Sequence, residues 1–331
     1  MRWLKSKEGG VFAILVVLFA ALSIANPVFL TADNLVDIVK TNVVLGMLAI
    51  GMTLVIIIGG IDVSVGAMTA GVTVLLGKFM VAAGYSFPVA LLLSIVCGAL
   101  LGAINGALVA KIKVHAIVVT LGTLSVYNGL VMYVTNGSWI NDLPPAFAEF
   151  GRLNLLEFDL ASGGKVGVPV QILFLLLVAV GTGAMLKYTR IGRSIYAVGG
   201  NPLSAERAGI RLDRVQLFVY SYMGFLAGLA AFVHTSIYRQ VDPNAFSGFE
   251  LQVIAAVVLG GANILGGSGS VTGTLLGVAL LAVIGNGLTL THVPSFWHNI
   301  IIGLFIVSAV TFDIVQRKRT ERNLAKIDVM A

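Results

Sequence analysis

The chain is short of charge and of cysteine. Only 11% of its 331 residues are charged, against about 25% in an ordinary soluble protein. A water-facing globule of this length needs more polar surface than that, so a soluble domain is excluded. There is one cysteine, Cys97, in the apolar stretch Leu93 to Leu101. It excludes an intrachain disulfide and a cysteine-built zinc or iron–sulfur centre. A nucleotide-binding loop is also missing. Gly71 to Phe79 comes nearest, but its spacing to Gly77 and Lys78 is one residue too long, and Phe79 stands where Ser or Thr is required.

What is present is apolar. Hydrophobic residues make up 58% of the chain, and the mean hydropathy is +0.98. An uninterrupted helix across the hydrocarbon core needs about 20 mostly apolar residues, and a helix is required because it satisfies its own backbone polar groups there. About ten stretches qualify: Val11 to Leu30, Val43 to Ile58, Val63 to Ala83, Pro88 to Ala110, Ala116 to Val134, Val168 to Leu186, Val215 to His234, Leu251 to Gly266, Val271 to Leu290 and Phe296 to Phe312. The first follows Arg2, Lys5 and Lys7 as a signal peptide would, but without a convincing small-residue cleavage site it reads as a retained span.

The net charge of +6 could point to nucleic acid, yet the cations are scattered between apolar runs. Ten spans with both termini in the cytoplasm place Arg2, Lys5, Lys7, Lys111, Lys113, the basic run from Lys187 to Arg214, and Arg317 to Lys326 inside. Lys40, Arg152, Lys165 and Arg239 fall outside, among most of the acids. That asymmetry follows the positive-inside rule, so the charge reports membrane orientation rather than a nucleic-acid partner.

The 39 glycines are too many for loops. Gly98, Gly102 and Gly106 recur every fourth residue, as do Gly224 with Gly228 and Gly273 with Gly277, and such rows let helices approach closely in lipid. The run Gly260, Gly261, Gly266, Gly267 and Gly269 permits either a gate of unwound backbone or a tight interhelical turn. The expected inner loop 187–214 carries a short surface helix: Asn201 caps it, Pro202 suits its first position, and Gly209 ends it. Such a helix suits a cytoplasmic partner, and a basic loop against anionic lipid is the other reading.

Asp62 is the acid to weigh, since it stands between two apolar runs. It has two readings, a cap on the helix that follows and a direct part in gating. Lys78 reads as snorkelling toward head groups, and Trp3, Trp139 and Trp297 as interfacial anchors. His115, His234, His292 and His298 offer no metal spacing beyond a remote pairing of His292 with His298. The long outer loop 135–167, with Trp139, Phe147, Phe150, Leu153, Leu155 and Phe158, suits a lid, a docking surface or packing over helix ends.

Three segments together resemble ABC-importer permeases of the ribose, xylose, galactose and autoinducer-2 group. They are GGIDVSVGAMTAG (Gly59 to Gly71), AVGGNPLSAERAGI (Ala197 to Ile210) and VVLGGANILGGSGSVTGTLLG (Val257 to Gly277). Within the group, GSWINDLP (Gly137 to Pro144) and VPSFWHNIIIGLFIVSAVTFD (Val293 to Asp313) look most like the autoinducer-2 permeases, with rhamnose permeases close.

The resemblance implies an all-α, ten-helix permease of the vitamin-B12-permease-like, type II importer fold, in a single domain spanning 1–331. It implies a bacterial inner-membrane location and no cofactor of its own, with ATP bound by a separate ATP-binding subunit. The other partners would be a second permease copy or sister permease, and a periplasmic solute-binding protein. The coupling helix would carry Asn201, Pro202, Ala205, Glu206, Arg207 and Gly209. Gate or path candidates are Gly59, Gly60, Asp62, Ser64, Gly260, Gly261, Gly266 and Gly267. An ion-coupled carrier of a small neutral solute is the alternative, and it would place charged groups near the midplane, where only Asp62 offers itself. An intramembrane enzyme would need converging nucleophile, base or metal ligands, and no such set is visible.

Overall fold

In the computed structural model the described residues are 7–84, 86–159, 165–294 and, beyond these, 296, 297, 300, 301, 303, 304, 307, 308 and 311. Among the described residues eight helices are long and apolar enough to cross a membrane: α1 (Glu8–Ala25 of Lys7–Ala25), α2 (Ala32–Ile57), α3 (Val65–Ala83), α4 (Phe87–Ala110), α5 (Ala116–Thr135), α7 (Gln171–Tyr188), α10 (Leu212–Tyr238) and α12 (Val271–Leu290). Four shorter helices are α6 (Pro145–Phe150), α8 (Arg190–Gly200), α9 (Pro202–Arg207) and α11 (Phe249–Leu259).

Several expected spans change on folding. The first stops at Ala25, because Asn26 turns the chain by accepting a bond from the Val28 N–H at 2.9 Å, and Pro27 opens a short 3-10 turn to Leu30. The second begins at Ala32, with Thr31 as cap and Asp33 in the first turn, where the helix dipole favours an acid. The expected span Leu251 to Gly266 is corrected to the 11-residue α11. That is about 16 Å of helix, roughly half the hydrocarbon thickness, and Gly260 and Gly261 end it. Of the last expected span, Phe296, Trp297, Ile300, Ile301, Gly303, Leu304, Val307, Ser308 and Thr311 are helical. Its remaining positions, like Trp3 and His298, lie outside the described residues.

The all-α expectation is also corrected. Within the loop 135–167 the strands β1 (Asn154–Asp159) and β2 (Lys165–Pro169) pair antiparallel, with Phe158 opposite Val166 and Glu157 opposite Gly167. The pairing absorbs backbone groups that no helix serves there. The other half of the loop packs: Phe147 on α6 is fully buried, its ring 5.6 Å from that of Phe232.

The core is built around α2 and α10. Every residue from Val43 to Ile57 is buried, as an all-apolar helix requires when other helices surround it. The two glycine rows interlock: a Cβ on Gly102 would lie 2.8 Å from the Gly224 Cα, and one on Gly106 would lie 3.1 Å from the Leu217 Cα. Close backbone approach replaces the hydrophobic drive that lipid removes. Hydroxyls and amides add clasps between α2 and α12. Thr53 and Thr274 share a buried hydrogen bond of 2.6 Å, while Asn34 and Asn286 exchange amide bonds of 3.1 and 2.8 Å. Outward faces carry large apolar side chains such as Leu92, Leu100, Leu177 and Val180, suited to lipid.

Candidate functional site

The loop 187–214 is two helices rather than one. Thr189 caps α8, accepting from the Gly192 N–H at 3.2 Å. Asn201 caps α9, accepting from the Ser204 N–H at 2.9 Å, with Pro202 at the first position and Gly209, at φ +84°, beyond its end. Of the coupling candidates Ala205 is buried, while Asn201, Pro202, Glu206, Arg207 and Gly209 are exposed. The helix therefore presents a polar edge and is pinned by one methyl.

What the sequence alone does not reveal is the floor beneath this loop. The end of α8 meets the end of α2 and the glycine loop after α11. The Gly267 N–H donates to the Ile57 carbonyl at 2.8 Å. A Cβ on Gly199 would collide with that carbonyl and lie 2.8 Å from the Gly267 nitrogen. A Cβ on Gly266 would sit 3.0 Å from both the Gly59 nitrogen and the Gly199 carbonyl oxygen. Gly59, Gly261, Gly266 and Gly267 all have positive φ, where a side chain would be strained. The Tyr196 hydroxyl closes the junction by donating to the Gly269 carbonyl at 2.8 Å. Three segments far apart in sequence thus meet through bare backbone.

The glycine candidates do not all act alike. Gly260 packs against Gly273 and Thr274 at the crossing of α11 with α12, away from this junction. Gly60 lies instead against Tyr220, whose hydroxyl a Cβ there would approach to 2.6 Å.

Asp62 lies in the connection between α2 and α3, fully buried. Its Oδ1 accepts from the Ser64 N–H at 2.9 Å and from the Ser64 hydroxyl at 2.6 Å. Asn105 on α4 donates to the Ser64 Oγ at 2.8 Å and, at 3.5 Å, to Asp62 Oδ2. Thr120 on α5 donates to the neighbouring Ile61 carbonyl at 3.2 Å. Burial pushes the carboxyl up to about 6, against the Ser64 and Asn105 hydrogen bonds that hold it down. The geometry joins the start of α3 to α4 through one acid with neutral partners, while α5 is tied to the same turn through the Ile61 carbonyl. Asn105 is absent from the sequence-derived candidates, although an amide inside the Gly102 to Gly106 row was the available signal.

Among the described residues no group of His, Cys, Asp and Glu could hold a metal ion. Lys78 is exposed on α3.

Comparison with known proteins adds to this geometry. A family model described as branched-chain amino acid transport system / permease component matches residues 34–310. An autoinducer 2 import system permease protein of Salmonella typhi is 36% identical over 321 residues, covering 97% of this chain and 89% of the relative. A ribose import permease protein of Haemophilus influenzae is 37% identical over 304 residues, 91% of each chain. Another ribose import permease protein, from Escherichia coli K12, is 36% identical over 315 residues, 94% of each. No solved structure matches.

Proposed function

The chain belongs to the branched-chain amino acid transport system permease component family, and from that premise we propose how it works as the membrane subunit of an ATP-driven importer. It is a multi-pass membrane transport component, not itself an enzyme. The cargo is a monosaccharide-like solute, as the ribose and autoinducer 2 names of its relatives suggest.

The observation that carries the mechanism is the backbone junction of Gly199, Ile57 and Gly267. In this reading 187–214 is the cytoplasmic coupling loop, and α9, with Asn201, Pro202, Ala205, Glu206, Arg207 and Gly209, meets the ATP-binding subunit. A displacement of α9 passes through α8 to the end of α2 and to the glycine loop, since close-packed backbones shift together rather than deform. Gly59, Gly60, Asp62, Ser64, Gly260, Gly261, Gly266 and Gly267 are then the parts that move or brace the path. The neutral partners of Asp62 suit a brace better than an ion relay, which favours the ATP-driven reading over an ion-coupled carrier.

The finer architecture belongs to the same proposal. Ten spans in a type II arrangement arise if α11 with its glycine loop and the segment from Phe296 onward add to the eight long helices. One domain then covers 1–331, both termini face the cytoplasm of a bacterial inner membrane, and 135–167 is a periplasmic loop. The chain pairs with a second copy or a sister permease, receives solute from a periplasmic binding protein, and holds no cofactor.

The test of cargo is thermal denaturation of the binding protein encoded beside this chain, screened against pentoses, hexoses and autoinducer 2. Stabilisation by one of these supports the reading. Stabilisation only by amino acids overturns it.

A further inference from the structure

A cavity of about 940 Å³ opens beside the surface helix. Its walls are the α9–α10 link, the α4–α5 connection and the turn after α2, and Tyr220 is part of its lining. The cations Lys111, Lys113 and Arg211 line it together with the carboxylates Glu206 and Asp213, and Arg211 is already drawn to Asp213 at 3.7 Å. Among the described residues Lys111 and Lys113 have no ion pair, so the lining keeps two free cations for one free carboxylate, Glu206.

Two helix N-termini end on the same space. Ala116 opens α5 and Leu212 opens α10, and both residues line the cavity. Neither helix has a side-chain cap: His115 and Arg211 stand at the capping positions without a capping bond. The first N–H groups of both helices thus lack a capping acceptor, and the α5 end, with no acid in its first turn, also keeps its positive dipole unanswered, whereas Asp213 stands in the first turn of α10. Tyr220 supplies an independent sign of a ligand. Its side chain is fully buried and its hydroxyl has no hydrogen-bond partner, although it sits against Gly60 on the cavity wall. A buried hydroxyl left unpaired is costly unless something fills its bond.

We propose that this cavity binds a phosphate monoester, carried by a small organic phosphate or by the head group of phosphatidic acid, and not the zwitterionic diester of phosphatidylcholine. Lys111 and Lys113 neutralise the charge, the α5 and α10 N-termini donate backbone N–H groups, and the Tyr220 hydroxyl takes up a remaining oxygen. A neutral sugar would leave the two lysines and the α5 dipole unanswered, since Asp213 already stands in the first turn of α10. The bound anion lies between the α9–α10 link and the turn at Gly59 and Gly60.

The test uses the full chain in nanodiscs of phosphatidylcholine, with equilibrium dialysis of labelled D-glucose 6-phosphate and of D-glucose as the neutral control. A parallel arm adds phosphatidic acid to the bilayer and measures the lipid retained after detergent exchange. Saturable binding of glucose 6-phosphate assigns the site to a free organic phosphate. Retention of phosphatidic acid alone assigns it to a lipid head group, and both results support the site. Lys113→Gln, at an exposed position, should weaken whichever anion binds by about tenfold, the loss of one charge-assisted contact. Tyr220→Phe should weaken it as well, with an unchanged gel-filtration profile. The proposal is overturned if neither anion binds saturably, if D-glucose binds as tightly, or if Lys113→Gln binds like the parent.

Discussion

The amide of Gly267 donates its hydrogen to the carbonyl oxygen of Ile57 over 2.8 Å, joining a glycine loop to the last residue of α2. The same carbonyl is approached by Gly199 so closely that no side chain fits there. The surface loop and the end of a core helix are therefore in direct backbone contact, and in the proposed mechanism motion passes inward there.

Gly199→Ala should separate these segments. Overpacking at a rigid contact costs about 1–3 kcal/mol, too little to prevent insertion but enough to shift the junction. The expected result is assembled complex with solute uptake lowered several-fold, read by co-purification and vesicle uptake. Wild-type uptake would show that the junction does not transmit motion.

Gly102→Ala should destabilise the packing of α4 on α10, because its Cβ would press on Gly224. The expected loss is again about 1–3 kcal/mol, seen as a lower Tm in detergent. Gly122→Ala is the control. Nothing lies within 4 Å of a Cβ there, so its Tm should stay at or slightly above the parent value.

Asp62→Asn should keep most transport if the residue braces the α2–α3 connection, since an amide oxygen still accepts from Ser64. Asp62→Ala leaves the Ser64 N–H and hydroxyl unpaired and should cost about 1–3 kcal/mol. Fully assembled Asp62→Asn protein with no transport would instead assign the carboxylate a direct part in gating. Measured uptake normalised to inserted protein distinguishes the two.

Replacing Glu206 or Arg207 by Ala should uncouple the chain from ATP hydrolysis. Both are exposed on α9, so insertion and Tm should be unchanged while solute-stimulated ATPase activity falls. Unaltered stimulation and complex assembly would refute the docking role.

Most of the helical plan is legible in the apolar runs, because lipid forces long, self-satisfied helices. The cap at Asn201 and the end near Gly209 are equally plain, since both depend on local chemistry. The half-length α11 misleads by its hydropathy: Leu251 to Gly266 is apolar enough to span, and only its tertiary surroundings make the glycines an ending. The hairpin of β1 and β2 hides because its first strand is exposed along its whole length and gives no buried alternation to read. Asn105 and the Gly199–Ile57–Gly267 junction depend on segments distant in sequence, which periodicity does not connect. The interlocking of the Gly98 row with Gly224 and Gly228 is different again. Each row is visible alone, and only their pairing waits for the fold.

The most direct measurement is solute uptake into sealed vesicles holding the purified permease, its ATP-binding subunit and its binding protein. Uptake that requires ATP and all three components, and that ignores an imposed proton or sodium gradient, is the predicted result. Uptake by the permease alone, driven by an ion gradient without ATP, would contradict it.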